Sequence, residues 1–187
     1  EDLTNLPFER IATFIRQNPS WPDKNALLAT AERNMPTSLP STEIITWFTT
    51  YPPVTGDGIL KLMDAAIATG QTTSTNDLLN TAWAKANMSP EIQTTILRHY
   101  GNGINRAAHE ARIDMLMKNS QYTLVRALAS GLQNGYPKMI EARIALAEDK
   151  RGADELVYNV SPSLQNNTGL IFDRVRWLRR HDANAKA

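Results

Sequence analysis

Apolar residues recur at helical spacing along this chain, and each run is bounded by a helix start or stop signal. Strand-like alternation and hairpin dipeptides between strand-like runs are missing from it. Ser20-Trp21-Pro22-Asp23 reads as a cap, an early proline and a first-turn acid ahead of Leu27, Leu28 and Ala31. Ser41 precedes Ile44, Ile45 and Phe48. Thr55 opens the stripe Ile59, Leu60, Met63, Ala66 and Ile67, which stops at Gly70. Thr75 leads Leu79, Ala82, Trp83 and Ala86, and Ser89-Pro90-Glu91 leads Ile92, Ile96, Leu97 and Tyr100, with a stop at Gly101. Beyond it, Ala108, Ala111 and Met115 share a face, as do Tyr122, Val125, Leu128, Ala129 and Leu132. Pro137 starts a helix with Ile140, Ile144 and Ala147 that is apolar nearly all round and so expected to be buried. Leu170, Ile171, Val175 and Leu178 follow Gly169.

The pattern predicts an all-α chain of about ten short helices, joined by links short enough to set neighbours antiparallel. Such hairpins in series stack as an α–α superhelix, or solenoid, each unit burying its face on the next. No strict repeat consensus is present, and composition shows no break, so residues 1–187 read as a single helical domain. Leu60 and Leu128 are the expected core residues.

Composition removes several classes of function. The 20 basic residues nearly balance the 19 acidic ones, giving a net charge of +1, which argues against a dedicated nucleic-acid binder. With no cysteine, thiol catalysis, zinc ribbons and disulfides are excluded. No run approaches the roughly 18 apolar residues of a membrane span. The opening Glu1-Asp2-Leu3 has no signal-peptide character, and a start at Glu predicts a mature or trimmed product.

Candidate chemical motifs resolve mostly into structure. His109-Glu110 begins like a zinc-protease helix, but Ile113 stands where the second His is needed. His99 and His181 sit near helix C-termini, where a partly cationic ring suits the dipole, so all three histidines read as structural. Gly56-Asp57-Gly58 and Gly101-Asn102-Gly103 do not extend into a phosphate-binding fingerprint and read as connections. Asn87, Asn159 and Asn166 open glycosylation tripeptides, a pattern common by chance. Trp47-Phe48 with Tyr51-Pro52-Pro53, and likewise Trp21-Pro22, read as packed corners rather than sugar platforms. Arg174, Arg176, Arg179 and Arg180 suit a helix C-terminus, with an anionic ligand site as the alternative.

Several segments in shared order resemble the superhelical, non-catalytic part of a soluble lytic murein transglycosylase of the alphaproteobacterial type. They are Trp21-Pro22 with Leu27-Leu28 and Ala31-Glu32, then Trp47-Phe48 through Pro52-Pro53-Val54-Thr55-Gly56, then Arg112-Ile113-Asp114-Met115-Leu116. Ala142-Arg143-Ile144-Ala145-Leu146 and the closing run from Gly169-Leu170-Ile171-Phe172-Asp173 to Arg179-Arg180 are the most specific. The chain departs from the pattern at Ala108, where Asp is expected, at Lys118, where Trp is expected, and at Asn167-Thr168, which replace Asp-Pro.

The resemblance implies a right-handed superhelix in a periplasmic enzyme that cleaves the MurNAc–GlcNAc bond of peptidoglycan, leaving a 1,6-anhydro sugar without metal or cofactor. It also implies a lysozyme-like catalytic domain with a Glu-Ser motif and a Gly-Leu-Met-Gln segment. No Glu here is followed by Ser, and Gly131-Leu132-Gln133 matches the second motif only faintly. No catalytic, cofactor or metal residue is therefore assigned. The expected role is a scaffold that handles glycan strands and docks a catalytic domain. The alternative is a stand-alone helical-repeat adaptor for a protein partner; the polar tail 182–187 suits a linker or a free end. An enzyme active within these residues is the least favoured reading.

Overall fold

The computed structural model describes residues 6–132 and 135–181. The opening Glu1-Asp2-Leu3, Gln133 and the tail 182–187 lie outside the described residues. Among those described the protein is all-α, with eleven helices. In chain order these are α1 Phe8–Gln17, α2 Lys24–Asn34, α3 Ser41–Thr50, α4 Gly56–Ala68, α5 Thr72–Lys85, α6 Pro90–Tyr100, α7 Arg106–Lys118, α8 Tyr122–Ser130, α9 Tyr136–Ala147, α10 Ala153–Tyr158 and α11 Thr168–Arg180. Short 3₁₀ turns occupy Gly101–Gly103 and Pro162–Leu164. None of the described helices is long and apolar enough to cross a membrane.

The helices gather into two compact units, residues 1–112 and 113–187, with the division inside α7. Within each, a helix packs on its sequence neighbour and on the next but one, the arrangement of a solenoid. In the first unit α4 touches α2, α3, α5 and α6. In the second, α9 touches α8, α10 and α11. These hub contacts explain why α9 buries Tyr136, Met139, Ile140 and every residue from Ala142 to Leu146.

Local chemistry sets the boundaries. The Thr55 hydroxyl accepts from Gly58 N at 3.0 Å and starts α4. Ser89 accepts from Ile92 N at 3.3 Å, with Pro90 in the first turn, and starts α6. The α4 helix ends in a Schellman closure, Gln71 N donating to Ala66 O at 2.8 Å. Elsewhere the boundaries differ from expectation. The α2 helix begins after Trp21-Pro22, with Asp23 as its cap, and α5 begins at Thr72, so that Thr75 lies buried in its first turns.

Two faces also differ. On α4 the buried stripe is Ile59, Leu62, Met63, Ala65 and Ala66, while Leu60 is half-buried and Ile67 exposed. Apolar residues cover most of this helix, so periodicity alone does not select the stripe; contact with four other helices does. On α7 Ala108 is buried, but Ala111 is exposed and Met115 half-buried. The buried face there runs through His109, Arg112, Ile113 and Leu116, two of them polar.

Leu128 is 2% exposed, so Leu128→Ala should cost about 2–5 kcal/mol in equilibrium urea unfolding. Leu60→Ala, at a half-buried site, should cost on the order of 1 kcal/mol. Equal losses at the two positions would show that Leu60 is a core residue after all.

Candidate functional site

Among the described residues three charged side chains, Glu32, Arg112 and Arg143, are buried, and each has a definite structural cause. Glu32, on α2, is 0% exposed. Its carboxylate accepts from Val54 N at 2.7 Å, Thr55 N at 2.9 Å and the Thr55 hydroxyl. Thr55 in turn caps α4, and a Cβ at Gly58 would collide with the Glu32 carboxylate. Lys61 donates back to the carbonyls of Glu32 and Met35 at the end of α2. Burial pushes the Glu32 pKa up, against the lowering effect of these donors and of Lys61. A carboxylic acid with a raised pKa is the group a glycan-cleaving enzyme needs, but Glu32 is closed off from any substrate oxygen.

Arg112, on α7, is 1% exposed. Its Nε donates to Gln93 Oε1 at 2.8 Å, and its Nη1 donates to the carbonyls of Trp83 at 2.9 Å and Ala86 at 3.2 Å. The guanidinium lies 4.6 Å from the Trp83 ring centroid. It thus satisfies the C-terminal carbonyls of α5, where the helix dipole favours a cation. Burial lowers its pKa to about 10, which leaves it charged at neutral pH. His109 meets the same indole edge-on at 5.8 Å, and its buried Nδ1 has no hydrogen-bond partner. Burial therefore lowers the His109 pKa and keeps the ring neutral.

The third charge is in the second unit. Arg143, on α9, is 4% exposed and reaches two carboxylates, Asp173 through Nε at 2.7 Å and Asp114 through Nη1 at 2.8 Å. Gly169, in the first turn of α11, packs on this guanidinium so closely that a Cβ would collide with it. Burial raises the Asp173 pKa and Arg143 pulls it back. The node ties α7, α9 and α11 together and floors a groove of about 650 Å³. Lys118, Tyr122, Phe172 and Arg176 line that groove, with Ser120 and Thr168 supplying hydroxyls. Phe172 is 63% exposed. A second groove in this unit, about 620 Å³, is flanked by the bidentate Arg126–Glu141 pair, whose charges satisfy each other.

The other sequence candidates are placed as follows. His99 is exposed in the last turn of α6. His181 stacks on Trp177 at 4.4 Å and pairs with Asp149 at 3.1 Å, beside a Trp177–Asp149 hydrogen bond of 2.7 Å. Among the described residues no cluster of three or more His, Asp or Glu is arranged to hold a metal ion. Gly56-Asp57-Gly58 is the first turn of α4 rather than a connection; Gly101–Gly103 is a turn. Trp47 and Phe48 are buried, with Trp47 against Phe8 and Tyr51, so this corner is packed. Trp21 departs from expectation: it is 47% exposed, edge-on to Phe14, itself 37% exposed, because α2 starts beyond it. Arg180 donates to Leu146 O at the end of α9 at 2.6 Å, a helix-terminal role. Arg174, Arg176 and Arg179 are exposed. The groove, Glu32 and Phe172 were not singled out from sequence as functional. The signal for Arg143 was present, a cation set between Ala142 and Ile144-Ala145-Leu146 in the apolar part of its helix.

No protein-family model, curated protein or solved structure matches this chain.

Two consequences follow for stability. Gly169→Ala pushes a methyl into a guanidinium pinned by two carboxylates, and should cost about 1–3 kcal/mol in urea unfolding. Gly131→Ala, where a Cβ meets only Leu128 O at 3.6 Å, should be near neutral; equal effects would mean that Arg143 yields freely. His109, with its pKa held below 6.5, contributes stability that is present above pH 6.5 and lost as pH falls through the folded value. Wild type should therefore lose more stability than His109→Phe between pH 7.5 and pH 5; parallel losses would show that the ring protonates freely in the fold.

Proposed function

We propose that this chain is a non-catalytic helical module of a lytic murein transglycosylase, acting in the periplasm. It handles peptidoglycan for a cleavage site formed elsewhere. The observation that carries this reading is the groove on Arg143. Four residues from the segments that resemble the transglycosylase superhelix, Asp114, Arg143, Gly169 and Asp173, meet at its floor. Its walls mix aromatic, hydroxyl and cationic side chains, the chemistry that suits a polymer of pyranose rings bearing carboxylates. The inward-facing acids support the same division of labour. Glu32 is engaged with backbone donors and Asp173 with Arg143, so each acts as a structural ligand.

A stand-alone adaptor is the second reading. It is favoured by the exposed apolar side chains of the second unit, notably Tyr158 at 85% and Ile171 at 46%.

Sedimentation with insoluble peptidoglycan sacculi separates the two. The purified chain should co-sediment at low salt and less at high salt, because exposed cations facing carboxylates are screened. Failure to sediment at either salt would overturn the glycan role and leave the adaptor.

A further inference from the structure

The α11 helix has two apolar sides. Its inner side buries Gly169, Leu170 and Leu178 and packs on α9. Its outer side carries Ile171, 46% exposed, Phe172, 63% exposed, and the half-buried Val175. Val175 follows Ile171 by four residues and Phe172 by three, so the three share one strip. Arg174 borders that strip beside Ile171 and Val175, and Arg179 borders it beside Val175 and Phe172. The other two arginines of the helix are engaged, Arg176 by the charge of Asp173 and Arg180 by Leu146 O at 2.6 Å. Among the described residues Arg174 and Arg179 are exposed and meet no carboxylate. Charge is also divided unevenly along the chain. Residues 113–187 hold 11 basic and 8 acidic side chains, whereas residues 1–112 hold 9 and 11. The near-neutral total therefore conceals a second unit of net charge +3, and Asp173 is the sole acid within α11.

We propose that the outer side of α11 docks on the headgroup surface of an anionic bilayer. Ile171, Phe172 and Val175 enter the boundary between headgroups and acyl chains, and Arg174 and Arg179 reach lipid phosphates on either flank. The helix lies in the plane of the surface; no described helix is long and apolar enough to cross a membrane. Area decides between a bilayer and a protein partner. A 13-residue helix is about 20 Å long and about 10 Å wide, so one side offers on the order of 200 Å². A standard protein interface takes about 800 Å² from each partner. Adsorption to an anionic surface has no such threshold. Each arginine near the surface strengthens it about fivefold, and shallow apolar insertion adds to that. A guanidinium also pairs with a phosphate through two parallel hydrogen bonds, which suits arginine at both flanks.

The test is flotation of the whole chain with lipid vesicles. Vesicles of equal parts phosphatidylglycerol and phosphatidylcholine should carry the chain upward at low salt and release most of it at high salt. Vesicles of phosphatidylcholine alone should leave it behind. Arg174→Gln with Arg179→Gln should weaken partition into the anionic vesicles about 30-fold. Ile171→Ala with Phe172→Ala should weaken it about tenfold. Lys138→Gln with Arg151→Gln, two exposed cations outside α11, should leave it nearly unchanged. All six side chains are exposed, so matching thermal unfolding of the variants is expected and is measured alongside. No flotation with anionic vesicles, equal flotation with neutral ones, or equal losses from the two charge pairs would each overturn the assignment. Polyglutamate beads separate a bilayer from an acidic polypeptide. Retention on the beads without flotation, unaffected by Ile171→Ala with Phe172→Ala, would give the face to an acidic protein and overturn the lipid assignment. Failure on vesicles leaves the glycan-handling role untouched, since that role is read with sacculi.

Discussion

Short helices carry a heavy burden of unpaired backbone ends, and meeting that burden inside a packed array is the constraint on which this structure depends. The described helices run from 6 residues in α10 to 14 in α5. Each leaves about four N–H groups and four carbonyls without an intrahelical partner. Packing one helix on the next removes water from many of those groups, so side chains must reach them. Glu32 takes the N–H groups ahead of α4, and Lys61 takes carbonyls at the end of α2. Arg112 takes the end of α5, and Arg180 a carbonyl at the end of α9. Gln165 donates to Val157 O and Val160 O at and just past the end of α10, and Asn80 bridges Gly103 O and Asn105 N on either side of Ile104. Long polar side chains directed inward are thus the consequence of building with short helices.

This logic changes what the resemblance to transglycosylases means. Glu32, Val54-Thr55, Arg112 and Arg143 belong to the segments that carry it, and each of them closes a helix end or fixes one helix against another. Shared residues at such positions are evidence for a shared way of satisfying helix ends. They are not evidence for a shared reaction, because an acid with no exposed surface, engaged by three backbone and hydroxyl donors, is out of reach of a substrate. Functional argument has to come from groups that face solvent with their valences open, and in the second unit those line the groove above Arg143.

Caps and stripes were legible because they are local. Thr55 and Ser89 each bond an amide three residues ahead, so spacing alone reveals them. The all-round apolar character of α9 likewise announced a helix touched on several sides. Other features depend on partners distant in sequence. The α1 helix shows a regular Phe8, Ile11, Ala12 and Ile15 face but lacks a capping side chain, and α10 is too short for any period to register. The α7 face was misread because two of its inward residues, His109 and Arg112, are polar, and a hydrophobic pattern assigns polar residues to water. Their burial makes sense only once Trp83, Gln93 and the end of α5 are in place. The groove is less legible still, since its walls come from three stretches of chain, 114–122, 143–147 and 168–176.

The second unit separates two tasks that share one node. The Arg143 guanidinium, neutralised by Asp114 and Asp173 and packed on Gly169, is fixed by the fold and cannot be altered without loosening three helices. Truncating Arg143 leaves the carboxylate of Asp173 unmatched in a poorly solvated site, a larger cost than that pair contributes when intact, whereas Asp114 is half in water. Lys118, Phe172 and Arg176 stand on the same floor, but they face solvent and bear little of the fold. A substitution among them changes what the groove attracts while leaving helix packing alone. A rigid floor under exposed walls lets the walls be substituted within one helical framework.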